Sequence, residues 1–203
     1  MRTTQIVTDI GRKDNANGVC TFLSPESQRQ VIKVLKQLND ELGDTIWCMP
    51  SCSLHITLCE ILQAKTYPED KELSFQRNLD QYKHALDTVL TNVKPIEILF
   101  DRLEVSPNAI IIRGSDDTVL NTVRSQLVEL LPLPAGTKQP PTIVHSTIAR
   151  FTKELDVSIV ESIVGRLQIS FSEIITEFQL IHNGSPHMLD YKIASRHSLS
   201  MLL

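Results

Sequence analysis

Two histidines carry the chemistry that this sequence offers. The run Ser53-Leu54-His55-Ile56-Thr57-Leu58 returns in altered form as Val144-His145-Ser146-Thr147-Ile148, so a His-x-Thr unit stands twice in an apolar, strand-like stretch. Successive side chains of a strand point to opposite faces, which puts His55 with Thr57 and His145 with Thr147 and turns Leu54, Ile56 and Leu58 the other way. Imidazole titrates near pH ~6.5. Of two imidazoles in one cleft, one can be neutral and take a proton while the other is charged and gives one. A threonine hydroxyl about 6.5–7 Å further along the same face can hydrogen-bond a phosphate oxygen held between them. This is equipment for acid–base work on a phosphate ester, and it predicts a bell-shaped pH dependence with an optimum around pH 6–7.5 if both rings keep their ordinary pKa.

The pattern alone is weak. With Ser and Thr abundant, about one His-x-Ser/Thr is expected by chance among six histidines, and two occur. Context strengthens it. A strand candidate at Val19–Leu23 precedes the helix signal Ser24-Pro25-Glu26, and His55 follows Cys20 by 35 residues; a strand candidate at Ala109–Arg113 precedes Ser115-Asp116-Asp117, and His145 follows Ile110 by 35 residues. Two strand–helix–strand units thus carry their His-x-Thr at matched positions. Such duplication predicts two lobes related by pseudo-symmetry, with the histidines facing each other.

A chain of 203 residues, 41% hydrophobic, can build a sizeable core. Its net charge of −4 provides no broad attraction for a nucleic-acid backbone, so a small nucleotide or a short RNA end suits it better than a long duplex. The four cysteines, Cys20, Cys48, Cys52 and Cys59, form no Cys-x-x-Cys pair, and no second Cys/His pair completes a zinc site. Reduced thiols of a cytosolic protein are the expectation. Cys59 shares strand parity with His55 and Thr57 and could reach the cleft, or pack as a buried structural residue. No His/Asp/Glu cluster suggests a metal, so no cofactor is expected. Neither a signal-length apolar run nor a membrane-length stretch is present, which points to a cytoplasmic protein without membrane contact.

The positioning elements follow from periodicity and punctuation. Residues 1–18 are polar, end in Asn15-Ala16-Asn17-Gly18, and read as a lead-in; residues 19–203 read as one domain. Ser24 caps and Pro25 opens a helix to Leu42, with Val31, Val34, Leu35, Leu38 and Leu42 on one face and Gly43 as its stop. The first motif strand runs to about Leu62, and 65–71 is a loop. A second helix spans about Glu69–Val93, with Leu79, Tyr82, Leu86, Val89, Leu90 and Val93 on one face. A hairpin over Ile96–Val105 and Ala109–Arg113 leads to a helix at Asp116–Leu131 whose apolar side is Val119, Leu120, Val123, Leu127 and Leu130/Leu131. Pro132–Pro141 is irregular and, like Trp47–Ser53, could rim the cleft. Motif two at Ile143–Phe151, a short helix at about Val157–Leu167, and strands near Ile174–His182 and Tyr191–Leu199 complete an α+β arrangement of antiparallel sheet with helices on the outer faces. His84 reads as a solvated helix residue, His182, His187 and His197 as packing or loop residues, and Phe22 and Trp47 either as core or as platforms for a base.

His55-Ile56-Thr57-Leu58 and His145-Ser146-Thr147-Ile148-Ala149-Arg150 resemble the paired His-x-Thr signature of the two-histidine (2H) phosphoesterases, which include the bacterial 2′-5′ RNA ligase family and related cyclic phosphodiesterases. The resemblance implies a two-lobed, duplicated ferredoxin-like fold whose antiparallel sheets line a central cleft. It makes His55 and His145 the catalytic pair, and Thr57 and Thr147 phosphate clamps. It also implies a substrate-contacting Arg150, although strict alternation points Arg150 away from His145 unless a bulge or twist intervenes; a surface salt bridge is the other reading. Its chemistry would be metal-independent opening of a 2′,3′-cyclic phosphate or cleavage of a 2′-5′ phosphodiester by a monomer, and the alternative is a nucleotide-binding module without turnover. The first motif departs from the commonest family form: Cys59-Glu60-Ile61-Leu62 stands where an aromatic and Leu-Gly usually follow the threonine.

Overall fold

The computed structural model describes residues 2–10, 16–62, 70–116, 118–135, 137–183 and 186–200. Strand β1 (Ala16–Phe22) leads to helix α1 (Pro25–Leu42), where the Ser24 hydroxyl accepts the Ser27 N–H and Gly43 ends the helix at φ 53°. The expected face of α1, Val31, Val34, Leu35, Leu38 and Leu42, is buried. Strand β2 (Ile46–Cys48) and a one-turn 3₁₀ helix at Ser51–Ser53 precede β3 (His55–Leu62). Helix α2 (Lys71–Leu90) starts at Asp70, whose carboxylate accepts the Leu73 N–H. The hairpin β4 (Ile96–Ser106) and β5 (Ala109–Ser115) is followed by α3 (Val119–Leu130), β6 (Val144–Phe151), α4 (Val157–Val164), β7 (Phe171–Ile175), β8 (Glu177–Asn183) and β9 (Tyr191–Ser198).

These strands form two antiparallel sheets, ordered β3-β1-β8-β9 and β2-β6-β5-β4-β7. The run β6-β5-β4-β7 repeats β3-β1-β8-β9, so the expected duplication is present, with β2 added beside β6. Three details differ from the sequence reading. The apolar stretch expected as one strand near Ile174–His182 breaks at Thr176 into β7 and β8, which join different sheets. Ile46–Cys48 is a strand of the second sheet, paired Ile46 to Phe151, Trp47 to Arg150 and Cys48 to Ala149. The helices are exchanged: α1 packs on β6 and β7 beside α4, whereas α3 packs on β3 beside α2. Each unit's first helix therefore covers the other unit's sheet, and one core runs through both, from Leu58, Leu86 and Leu120 to Leu38, Ile148 and Phe151.

The matched 35-residue spacing holds only to within one residue, because Cys20 faces Thr57 while Thr147 is faced by Ile111 rather than Ile110. Residues 2–10, read as lead-in, run along the second lobe. The Thr4 N–H donates to the Leu155 carbonyl, the Gln5 N–H to Pro107 and the Val7 N–H to Phe151, and Thr4 is buried. The buried face of α3 is Leu120, Val123, Arg124 and Leu127; Val119 and Leu130, expected among its apolar residues, are exposed.

Candidate active site

Both motif strands carry the same irregularity. Along β1–β3, Cys20 pairs with Thr57 and Val19 with Cys59, so Leu58 is an extra residue. Along β5–β6, Ile111 pairs with Thr147 and Ile110 with Ala149, so Ile148 is extra. A bulge inserted directly after each threonine resets the alternation. In each strand the histidine, the threonine and the residue three beyond the threonine are half-buried, while those between are buried. The bulge thereby turns Arg150 to the face of His145 and Thr147, and turns Glu60 to the face of His55 and Thr57. Cys59, placed with His55 by simple alternation, goes to the core instead; it is fully buried and burial pushes its thiol up to about 12.

β3 and β6 meet across the two sheets, and the two histidines lie close enough for the charge of His145 to bear on His55. Nδ1 of His55 lies 2.7 Å from the Ser53 carbonyl. A carbonyl can only accept, so Nδ1 carries the hydrogen and the neutral ring has its lone pair on Nε2. Burial lowers the His55 pKa to about 4; the Ser53 bond opposes this, and the charges of His145, Arg150 and His187 add to it. His145 is turned to the carbonyl two residues before it, that of Ile143, without closing a full hydrogen bond. Its pKa is also lowered, first by burial and then by Arg124, Arg113 and Arg150. Both rings are thus biased toward the neutral form, contrary to the expectation that they would titrate near the ordinary value.

The flanks differ. Opposite His55 in register stands Phe22, its ring 6.1 Å from the imidazole and stacked on Tyr191 at 4.8 Å and 18°. Opposite His145 stands Arg113, which also lies 3.7 Å from Glu104. Trp47 is paired with Arg150 in register, is half-buried, and packs in part against the core. Phe22, Tyr191 and Trp47 therefore flank the motif residues. At the far end of β3, Lys138 of the proline-rich segment lies 3.9 Å from Glu60, and the Thr137 hydroxyl donates to the Ile61 carbonyl. Of the other histidines, His84 is exposed, His182 stacks on Phe75 and His197 is buried between Asp87 and Ser195. His187 is not merely a loop residue, since it lies against Trp47 and pairs with Asp9.

The residue least visible in the sequence is Arg124 on α3, 3% exposed. Its Nη2 donates to the Thr57 carbonyl at 2.8 Å and its Nε to the Leu58 carbonyl at 3.2 Å, while Nη1 donates to Asn121 Oδ1. These are the carbonyls of the β3 bulge. A charged residue four positions after Leu120 and three before Leu127 lies on the apolar stripe of its helix, and that was the available signal. Arg113 had a signal too, in the hairpin register that sets it opposite His145.

A family model of the 2′-5′ RNA ligase superfamily matches residues 23–186. The chain belongs to the 2′-5′ RNA ligase superfamily. This superfamily is one of LigT-type phosphoesterases, and solved structures carry the same two-lobed fold. TT0787 of Thermus thermophilus is 16% identical, with 92% of this chain and 100% of that one covered at a TM-score of 0.65. A structure described as a phosphoesterase is 14% identical, with 92% and 99% covered and a TM-score of 0.63. E. coli LigT in its apo form is 12% identical, with 93% and 99% covered and a TM-score of 0.60, and LigT has also been solved with 3′-AMP. No curated protein sequence matches the chain. Among the described residues no helix is long and apolar enough to cross a membrane.

Proposed function

We propose that this member of the 2′-5′ RNA ligase superfamily is a metal-independent phosphodiesterase acting on a 2′,3′-cyclic phosphate or 2′-5′ phosphodiester of a nucleotide or short RNA end. What supports the reading is the common face of the two motif strands: alternation sets His55 with Thr57 and His145 with Thr147, the bulge after Thr147 brings Arg150 to the same side, and the two strands meet from different sheets. His55, with Nδ1–H committed to Ser53 and the more strongly lowered pKa, serves as the base through Nε2. It takes the proton of the attacking water or hydroxyl as the new P–O bond forms. His145, the more readily protonated of the two, gives its proton to the oxygen that leaves as the old P–O bond breaks. Thr57 and Thr147 donate hydrogen bonds to the phosphate oxygens between the rings, and Arg150 offsets the charge that builds on them. Phe22 and Trp47 offer ring faces to a base.

Because kcat/KM reports the free enzyme, the lowered pKa values of both histidines shift the expected bell below pH ~6.5. The test is a panel of 2′,3′-cyclic nucleotides and 2′-5′ dinucleotides incubated with the protein and excess EDTA. Turnover should persist. Activity lost on chelation and restored by a divalent ion contradicts the mechanism, and tight nucleotide binding without turnover of any member makes the chain a binding module.

A further inference from the structure

The turn at Pro186–Met188 sits beside the cleft, and the paired-histidine chemistry makes no use of it. His187 and Met188 have φ values of 66° and 57°, left-handed backbone that residues other than glycine seldom adopt unless their surroundings impose it. The contacts that impose it come from both lobes. The Ser53 hydroxyl donates to the Met188 carbonyl at 2.9 Å, and the same residue's carbonyl accepts Nδ1–H of His55. On the other side Nε2 of His187 lies 3.0 Å from Oδ1 of Asp9, with the two side chains only 9% and 18% exposed. The His187 ring meets the indole of Trp47 at 5.8 Å between centroids, tilted by 58°. Trp47 stands opposite Arg150 across β2–β6, and the Asp9 carboxylate offsets the effect of burial on the Arg150 guanidinium.

We infer that His187, held by Asp9, is a positioning residue that fixes the indole of Trp47 beside Arg150, so that the cleft grips a nucleoside together with its phosphate. The inference rests on reading the cleft as a nucleotide site, but not on turnover there. An aromatic platform contributes most when it is already ordered, because binding then does not have to immobilise it. A rim residue present only to pack would have no use for a buried carboxylate partner. Here the imidazole is held at Nε2 by Asp9, its backbone is set by the strained turn, and its ring meets Trp47.

The chain has one tryptophan, so its intrinsic fluorescence reports Trp47 alone. Titration with 3′-AMP should quench that emission, while inorganic phosphate, followed by calorimetry, should bind without quenching. In His187→Ala and Asp9→Asn, affinity for 3′-AMP should fall relative to affinity for phosphate by about tenfold, the loss of roughly one stacked base; phosphate affinity itself should stay within about twofold in His187→Ala and should not fall in Asp9→Asn, where Arg150 loses a nearby carboxylate. His187→Gln keeps a donor for Asp9 and should recover most of the loss. Equal losses for the two ligands, or undiminished 3′-AMP binding in a folded His187→Ala protein, overturn the inference; if that variant does not fold, Asp9→Asn and His187→Gln decide it by the same comparison. A wild-type protein that binds neither ligand overturns it along with the nucleotide reading. A wild-type protein that shows the expected binding pattern but no turnover leaves it standing and removes only the catalytic proposal.

Discussion

The two motif strands share a backbone and differ in almost everything that touches it. Both carry a bulge directly after the threonine. In β6, an inner strand, the bulge carbonyl of Ile148 is taken by the Met49 N–H as the chain leaves β2. β3 is a sheet edge, and the carbonyls of its bulge are taken by the guanidinium of Arg124, reaching over from the other unit's helix. The neighbours differ as well: Phe22 and Glu60 accompany the first motif where Arg113 and Arg150 accompany the second. Duplication has kept the geometry of the His-x-Thr face and divided the charge around it. The lesson is that two copies of one motif need not be two copies of one role: both rings are biased toward the neutral form, His55 the more strongly, and the guanidinium groups of Arg113 and Arg150 stand beside the second motif only.

The largest effect that could break this comparison comes from the histidines themselves. His55→Ala and His145→Ala should each lower kcat by about 10²–10⁴, with circular dichroism and thermal unfolding little changed, since each removes a cleft-facing ring rather than core volume. An unfolded variant, or one as active as the parent, would return that histidine to the core or the surface.

Arg124 comes next. Arg124→Met should destabilise the fold by about 2–4 kcal/mol in denaturant titrations, because two buried carbonyls lose a charged donor. Arg150→Gln, at the equivalent end of the second motif but serving no bulge, should change stability by less than about 1 kcal/mol while weakening catalysis. Equal stability losses in the two variants would show that Arg124 holds no special place.

A last effect, spread across the pH range, sharpens the contrast. His55 has its pKa lowered to about 4 in the folded chain, against ~6.5 unfolded. As pH falls the unfolded chain binds the proton first, so the stability present above pH ~6.5 is lost progressively down to ~4, by up to about 3 kcal/mol. His55→Gln should flatten that slope, and His145→Gln should flatten it less. Denaturant midpoints measured across pH 4–8 decide it, and identical slopes in the two variants would remove the asymmetry.

The sequence disclosed the elements better than their exchange. Ser24, Pro25 and Gly43 bound α1 because capping is local chemistry, and the spacing of Val31, Val34, Leu35, Leu38 and Leu42 marks its buried face. Which sheet that face covers is a long-range matter, and nothing in the spacing shows α1 crossing to β6 and β7. The histidines and threonines were legible from alternation, whereas Arg150 and Cys59 were not, since one inserted residue in each strand reverses their sides. Arg124 betrays itself only as a charge on the apolar stripe of α3, which says it is buried but not what it holds, and the Asp9–His187 pair escaped because a contact across a turn leaves no period in the sequence.

The central claim is that the two His-x-Thr copies form one active site. A double-mutant cycle on kcat/KM with the best substrate of the panel addresses it: wild type, His55→Ala, His145→Ala and the double variant, all at one pH. If base and acid act as a unit, the double variant should lose about as much as the worse single variant, far less than the product of the two losses. Losses that multiply would mean that the two histidines work independently and share no reaction.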